Sequence, residues 1–79
     1  SLKDGDVDEK TLAFGEIGLA GEIRAVNNCE MRIAEAKRLG FTKCVIPFHN
    51  YKSLSKQIKV EMDIIPVRTI RAAFEAVTE

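Results

Sequence analysis

Few residues in this sequence have the type and spacing that chemistry requires. His49 is the only histidine, and a metal or catalytic role would need partners that no second histidine or metal-spaced cysteine pair supplies. It reads as an exposed loop residue. Cys29 and Cys44 lack the C-x-x-C spacing of a zinc or redox motif, and each reads as a small buried hydrophobe. Asp4, Asp6 and Asp8 alternate as the carboxylates of a calcium loop do, but Glu9 replaces the glycine and Gly15 the bidentate glutamate that such a loop needs. Gly15, Gly18 and Gly21 depart from G-x-G-x-x-G, and no Walker A lysine motif occurs. These spacings leave no catalytic, metal or cofactor site in the chain itself.

What remains is charge. Lys37, Arg38 and Lys43 cluster around the end of the first expected helix, where cations also suit the helix dipole, and Lys52, Lys56 and Lys59 follow. Such residues hold phosphate without reading sequence, so Lys37, Arg38 and Lys43 are the candidate phosphate contacts. A solvated face is the plainer reading of the same residues. Tyr51 and the phenylalanines do not interleave with them along the chain, so base stacking is not expected.

The elements that must carry these side chains follow from periodicity. Residues 1–10 are polar and acidic and read as an exposed lead-in to a single domain over 11–79. Leu12 and Phe14 alternate with Thr11 and Ala13 as a half-buried strand, Gly18 to Gly21 offer a turn, and Ile23 and Ala25 form a return strand, together a β-hairpin. Asn27 and Glu30 have the spacing of a capping box at a helix start. That helix carries a stripe of Cys29, Ile33 and Ala36, and it ends at Gly40 with Phe41 folding back. Met31 and Ala34 lie on another face and are a candidate subunit contact. Lys43–Pro47 reads as a buried strand, Asn50 as the cap of a short turn, and Ile64–Val67 as a second strand. Thr69 caps a last helix with a stripe of Ile70, Ala73, Phe74 and Val77. Two helix-then-strand steps imply neighbouring parallel strands.

The result is an α/β half-domain of two layers. The 79 residues allow at most one domain. No apolar run approaches the ~20 residues that span a bilayer, so no membrane contact and a cytosolic location are expected. Formal charge is zero overall, yet residues 1–22 carry −4 and the remainder +4.

Three blocks in order, Phe14-Gly-Glu-Ile-Gly-Leu-Ala-Gly-Glu-Ile-Arg-Ala-Val26, Lys43-Cys-Val-Ile-Pro-Phe-His-Asn50 and Asp63-Ile-Ile-Pro-Val67, resemble the C-terminal half of a Lon-protease-like domain (ribosomal protein S5 domain 2-like). Within that superfamily the likeness is to the RadA (Sms) family of bacterial DNA-repair ATPases. In Lon-type proteases a lysine on the helix after the hairpin activates a serine from earlier in the domain. Aligning Gly15 to Val26 with that pattern puts Glu30 at the lysine position, and the serine's segment would lie upstream of Ser1. A serine hydroxyl needs a neighbouring neutral amine or imidazole to take its proton, which Glu30 does not provide. Lon also has two glycines where this chain has Asn27 and Asn28.

The resemblance implies a catalytically silent scaffold within a DNA repair and recombination ATPase. Its parent would be hexameric, with ATP, magnesium and a structural zinc held by upstream parts; contact of this segment with DNA is a further expectation, for which the charge pattern, not the resemblance, offers Lys37, Arg38 and Lys43. A segment of this kind is expected to self-associate or to be only modestly stable. The alternative is the C-terminal half of an ATP-dependent Lon-type serine protease domain, and a third reading is a stand-alone interaction module.

Overall fold

A computed structural model describes residues 10–78. The candidate calcium carboxylates and the acidic lead-in through Glu9 lie outside those residues.

The buried run Lys43–Pro47 forms the central strand. We number the strands β1 (Thr11–Ala13), β2 (Glu16–Ile17), β3 (Ile23–Arg24), β4 (Lys43–Pro47) and β5 (Asp63–Val67), and the helices α1 (Cys29–Arg38), α2 (Phe48–Tyr51), α3 (Lys56–Glu61) and α4 (Ile70–Val77). The main sheet has the order β1-β4-β5 and is parallel throughout, with Leu12 opposite Cys44 and Pro47 opposite Val67. β2 and β3 pair antiparallel beside it.

The expected hairpin is therefore corrected in its first arm. Leu12 belongs to the parallel sheet, and the short hairpin begins only at Glu16. Phe14 still donates its N–H to Val45 O at 3.1 Å, after which the chain leaves the sheet at Gly15. The turn falls where the glycines place it, with Gly18 N–H donating to Glu22 O at 2.8 Å. A side chain at Gly18 would displace the Glu22 carboxylate, while Gly21 holds φ +84°, a left-handed conformation that favours glycine in this turn.

Alternation along β4 sends its side chains to opposite faces. Cys44 and Ile46 join Cys29, Ile33, Ala36, Leu54, Ile58 and Met62 under α1 and α3. Val45 joins Ile23 and Val67 on the other face, beneath Ala72, Ala73, Ala76 and Val77 of α4. The sheet is thus covered on both faces. Three layers replace the expected two because β4 is apolar at every position from Cys44 to Pro47, and each face needs its own cover. Ile33 and Ile46 are both fully buried, each stabilising by roughly 1.5–3 kcal/mol through burial.

Helix ends follow the sequence with two exceptions. α1 closes in a Schellman motif: Gly40 sits at φ +102°, its N–H donates to Lys37 O, and Phe41 N–H donates to Ala36 O, both at 3.0 Å. Thr69 Oγ1 caps α4 by accepting from Ala72 N–H at 3.1 Å. The first exception is the capping box. Asn28 occupies the N-cap in a left-handed conformation, φ 59°, and makes no side-chain cap. That conformation suits glycine or asparagine above other residues, which accounts for the residue types at this point. The second is Asn50, whose side chain does not cap a turn but reaches back to Val26.

The α4 stripe is also rotated from its expected position. Ile70 and Phe74 are exposed, while Ala72, Ala73, Ala76 and Val77 pack on the sheet. Small residues let the helix lie close to β4 and β5, and the larger pair is left at the rim.

Candidate nucleic-acid interface and the Glu30 clamp

Between Glu35 and Glu61 the sequence holds no acidic residue while carrying Lys37, Arg38, Lys43, Lys52, Lys56 and Lys59. That gap is a signal legible in the residues alone, and it is stronger than the first cluster of three. The fold folds this stretch through the end of α1, β4, α2 and α3.

The cations differ in their engagements. Lys37 Nζ bonds Glu61 at 2.8 Å, and that hydrogen bond, followed by one from Gln57, holds the Glu61 carboxyl below the usual carboxylate range. Arg38 pairs with Glu35 one turn earlier on α1. Phosphate would have to compete with those carboxylates. Lys43, Lys52 and Lys56 pair with no carboxylate among the described residues. The three sequence candidates therefore lie on neighbouring elements, Lys37 and Arg38 at the end of α1 and Lys43 at the start of β4, but two already hold partners.

Three cations lie over aromatic rings; Arg32 does so over Phe14, 5.9 Å from its centroid and away from this stretch, and the other two meet rings of the stretch itself. Lys59 Nζ stands 4.2 Å from the centroid of Tyr51, and the Arg68 guanidinium lies 3.7 Å from that of Phe48. The parallel register explains the second pair: with Pro47 opposite Val67, the next residues, Phe48 and Arg68, emerge side by side where the strands end. The expectation that aromatics would not interleave with the basic residues is thus corrected. Chain spacing hid it, because Arg68 comes from another strand and Lys59 from another helix. His49 is exposed and meets Phe48 edge to face at 5.9 Å, and no group of metal-binding side chains occurs among the described residues.

This basic and aromatic segment is tied down at two points. Asn50 Oδ1 accepts from Val26 N–H at 2.9 Å and its Nδ2 donates to Val26 O at 3.0 Å. Glu30 accepts from Ser55 N–H at 2.9 Å on one carboxylate oxygen and from Ser55 Oγ–H at 3.0 Å on the other. Ser55 Oγ in turn caps α3 by accepting from Ile58 N–H at 3.3 Å. Glu30 therefore serves the start of α3 as well as lying in the first turn of its own helix. Residues 26–30 grip both ends of the stretch from Asn50 to Ser55.

The position that resembles the lysine of a Lon-type dyad thus holds a carboxylate occupied by a structural contact. Ser55, the hydroxyl nearest it, is consumed as a helix cap. No amine or imidazole is hydrogen-bonded to it among the described residues.

The full length, residues 1–79, matches the model of the Lon protease (S16) C-terminal proteolytic domain. The chain belongs to that family. Among relatives, the DNA repair protein RadA of Aquifex aeolicus is 47% identical over 75 residues, 95% of this chain and 16% of the relative. RadA of Streptococcus pneumoniae is 39% identical over 77 residues, 98% of the chain and 18% of the relative. RadA of Escherichia coli is 37% identical over 73 residues, 92% of the chain and 16% of the relative. The resemblance drawn from the three sequence blocks is borne out. As a member of the Lon C-terminal family, the chain spans only about one sixth of the length of these relatives.

Cys29 and Cys44 are free and buried under α1. Burial raises both thiols above their ordinary value, Cys44 to about 11. A thiol kept protonated at neutral pH is a poor nucleophile, so both are packing residues. Met31 and Ala34 are exposed on α1. Met31 is 67% accessible and, with Leu12, Phe14 and Leu39, lines an open apolar groove of about 550 Å³ beside β1. No described helix is long and apolar enough to cross a membrane.

Proposed function

We propose that this chain is the proteolytically silent C-terminal part of a Lon-like domain, of the ribosomal protein S5 domain 2-like kind, in a DNA repair and recombination protein. Its work there is to support assembly and to offer a cationic surface to DNA phosphate. The observation that carries the reading is Glu30. It stands where a Lon-type protease would need its lysine, and it spends both carboxylate oxygens on Ser55. The names of the relatives, DNA repair protein RadA, support the repair context.

Phosphate contact falls to the acid-free stretch. Lys52, Lys56 and Lys59 are the foremost candidates, with Lys43, Lys37 and Arg38 beside them. Self-association would use the groove lined by Met31, with Ala34 nearby on the same helix, and the parent would be a hexamer. ATP with magnesium and a structural zinc would belong to upstream parts of that parent, and its location would be the bacterial cytoplasm.

The competing reading, half of an active Lon-type protease domain, takes its support from the family description itself. One experiment separates the two. The chain, alone and within its full-length parent, is offered an unfolded fluorescent casein and, separately, a labelled DNA. Binding of DNA at low salt with no casein cleavage is expected. Cleavage abolished by a serine-directed inhibitor would overturn the proposal.

A further inference from the structure

We infer that α4 joins this chain to a second copy in a two-fold pair, each copy seating its Phe74 in an apolar pocket of the other and setting its Arg71 against the other's Glu75. α4 covers the face of the sheet opposite α1. The contact is therefore separate from the groove lined by Met31 and does not depend on the DNA reading.

The pocket arises where two elements part. The chain leaves the main sheet at Gly15 to form the hairpin, while α4 lies on the sheet through Ala72, Ala73 and Ala76. Between hairpin and helix a cleft of about 200 Å³ stays open, walled by Ile17 and Ile23 of the hairpin, Val45 and Val67 of the sheet, and Ile70 and Ala73 of α4. No charged or polar side chain lines it. An apolar cavity of about 150 Å³ is enough to hold benzene, so a phenyl ring fits. The walls are tied to one another before anything enters, because Ile23 N–H donates to Arg68 O at 2.8 Å and Ile70 N–H to Gly21 O at 2.9 Å. A site formed in advance loses little freedom on being filled.

Phe74 stands beside this cleft without cover. It is 53% accessible, it is absent from the lining of its own pocket, and its neighbours Ile70, one turn before it, and Ile17 on the hairpin are exposed as well. Exposed apolar residues gathered around an apolar pocket mark an interaction surface, and an aromatic side chain is the usual anchor for such a pocket.

The charges on α4 select a second copy as the occupant. In an antiparallel helix pair about a two-fold axis level with Ala73, each residue lies opposite the one equally far beyond that level. Arg71 then stands level with the partner's Glu75, and Glu75 with the partner's Arg71. Both side chains are exposed and pair with no charged group among the described residues. The same axis brings Phe74 level with the partner's Ala72, between the partner's Ile70 and the partner's Ala73, the two residues through which α4 walls the pocket. One placement thus satisfies charge and shape together. A parallel pair would set like charges against each other. With so few exposed apolar residues on each copy, the contact falls below about 1,200 Å² in total, the range of weak and transient interfaces, so a reversible dimer with a micromolar dissociation constant is expected.

Sedimentation velocity of the chain, from low micromolar to millimolar concentration at physiological salt, tests this. Wild type is expected to pass from monomer to dimer. Phe74→Ala, its fold checked by circular dichroism, should weaken the dimer by roughly 30-fold or more, because each copy loses its anchor. Arg71→Glu should weaken it several-fold by bringing four carboxylates together, and Arg71→Glu/Glu75→Arg should restore it.

A chain that stays monomeric throughout would overturn the inference, as would a dimer untouched by Phe74→Ala or one that the charge exchange does not rescue. Association lost in Met31→Glu but kept in Phe74→Ala would also overturn it and would assign self-association to the α1 groove. Arg71 and Glu75 are exposed, so the charge exchange decides the matter even if Phe74→Ala does not fold.

Discussion

Replacing Glu30 by lysine restores the residue type that a Lon-type dyad would carry, and the structure says the cost will be in stability. Both hydrogen bonds from Ser55 end on a charged carboxylate. Bonds of that kind ordinarily stabilise by about 1.5–3 kcal/mol, and solvent exposure reduces each to about 1 kcal/mol here. The carboxylate also sits in the first turn of α1, where a negative charge gains roughly 0.3–1 kcal/mol from the helix field and a positive one loses a similar amount. Glu30→Lys should therefore destabilise by about 3 kcal/mol, and Glu30→Gln, which keeps one acceptor oxygen, by about half that. For a chain of this size each 1 kcal/mol lowers Tm by roughly 4–8 °C. Urea melts of the wild type, Glu30→Lys, Ser55→Ala and the double variant form a cycle, and a coupling near 1 kcal/mol is expected between the two sites. A Glu30→Lys variant within about 0.5 kcal/mol of wild type, or a cycle with no coupling, would refute the clamp.

Ile33→Ala empties a fully buried site and should cost about 2–5 kcal/mol, enough to leave much of the chain unfolded at 37 °C by circular dichroism. Gly40→Ala meets open space around the new methyl but must hold φ +102°, so a loss of about 1–2 kcal/mol is expected from the backbone alone and should appear as a lower urea midpoint. The raised thiols make stability pH-dependent. It is complete below the ordinary thiol pKa and falls as pH rises towards about 11, the value at Cys44, because the unfolded chain releases those protons first. Urea midpoints from pH 7 upward should fall more steeply in wild type than in Cys44→Ala. At pH 8 a disulfide reagent should modify the native thiols only as fast as the fold opens.

Much of the scaffold can be read from local chemistry. The Schellman end of α1 follows from Gly40 and Phe41, the cap of α4 from Thr69, and the buried β4 from its run of apolar residues. What escapes is long-range. β1 looks like a hairpin arm because Leu12 and Phe14 alternate, and only pairing with β4, some thirty residues on, reveals its parallel partner. Glu30 lies one turn from Asn27 and fits a capping box, yet its oxygens go to Ser55, 25 residues away. The Asn50 link to Val26 spans 24 residues, and neither clamp leaves any periodic trace. The aromatic and cationic pairs are hidden for the same reason: strand register, not chain order, sets Arg68 beside Phe48. The acid-free stretch from Ala36 to Val60 was available to inspection throughout.

The central claim, that a retired protease segment meets DNA through this stretch, is tested most directly by the salt dependence of binding. Fluorescence anisotropy of a labelled single strand would be measured from low to physiological salt for wild type, for Lys52→Gln/Lys56→Gln/Lys59→Gln and for Lys37→Glu/Arg38→Glu/Lys43→Glu. Each phosphate contact contributes about 0.7 to the slope of log K against log salt for a single strand. The account predicts that the first triple variant loses roughly 2 from that slope and most of the affinity, with a smaller loss in the second. An unchanged slope, or no binding by wild type even at low salt, would contradict it.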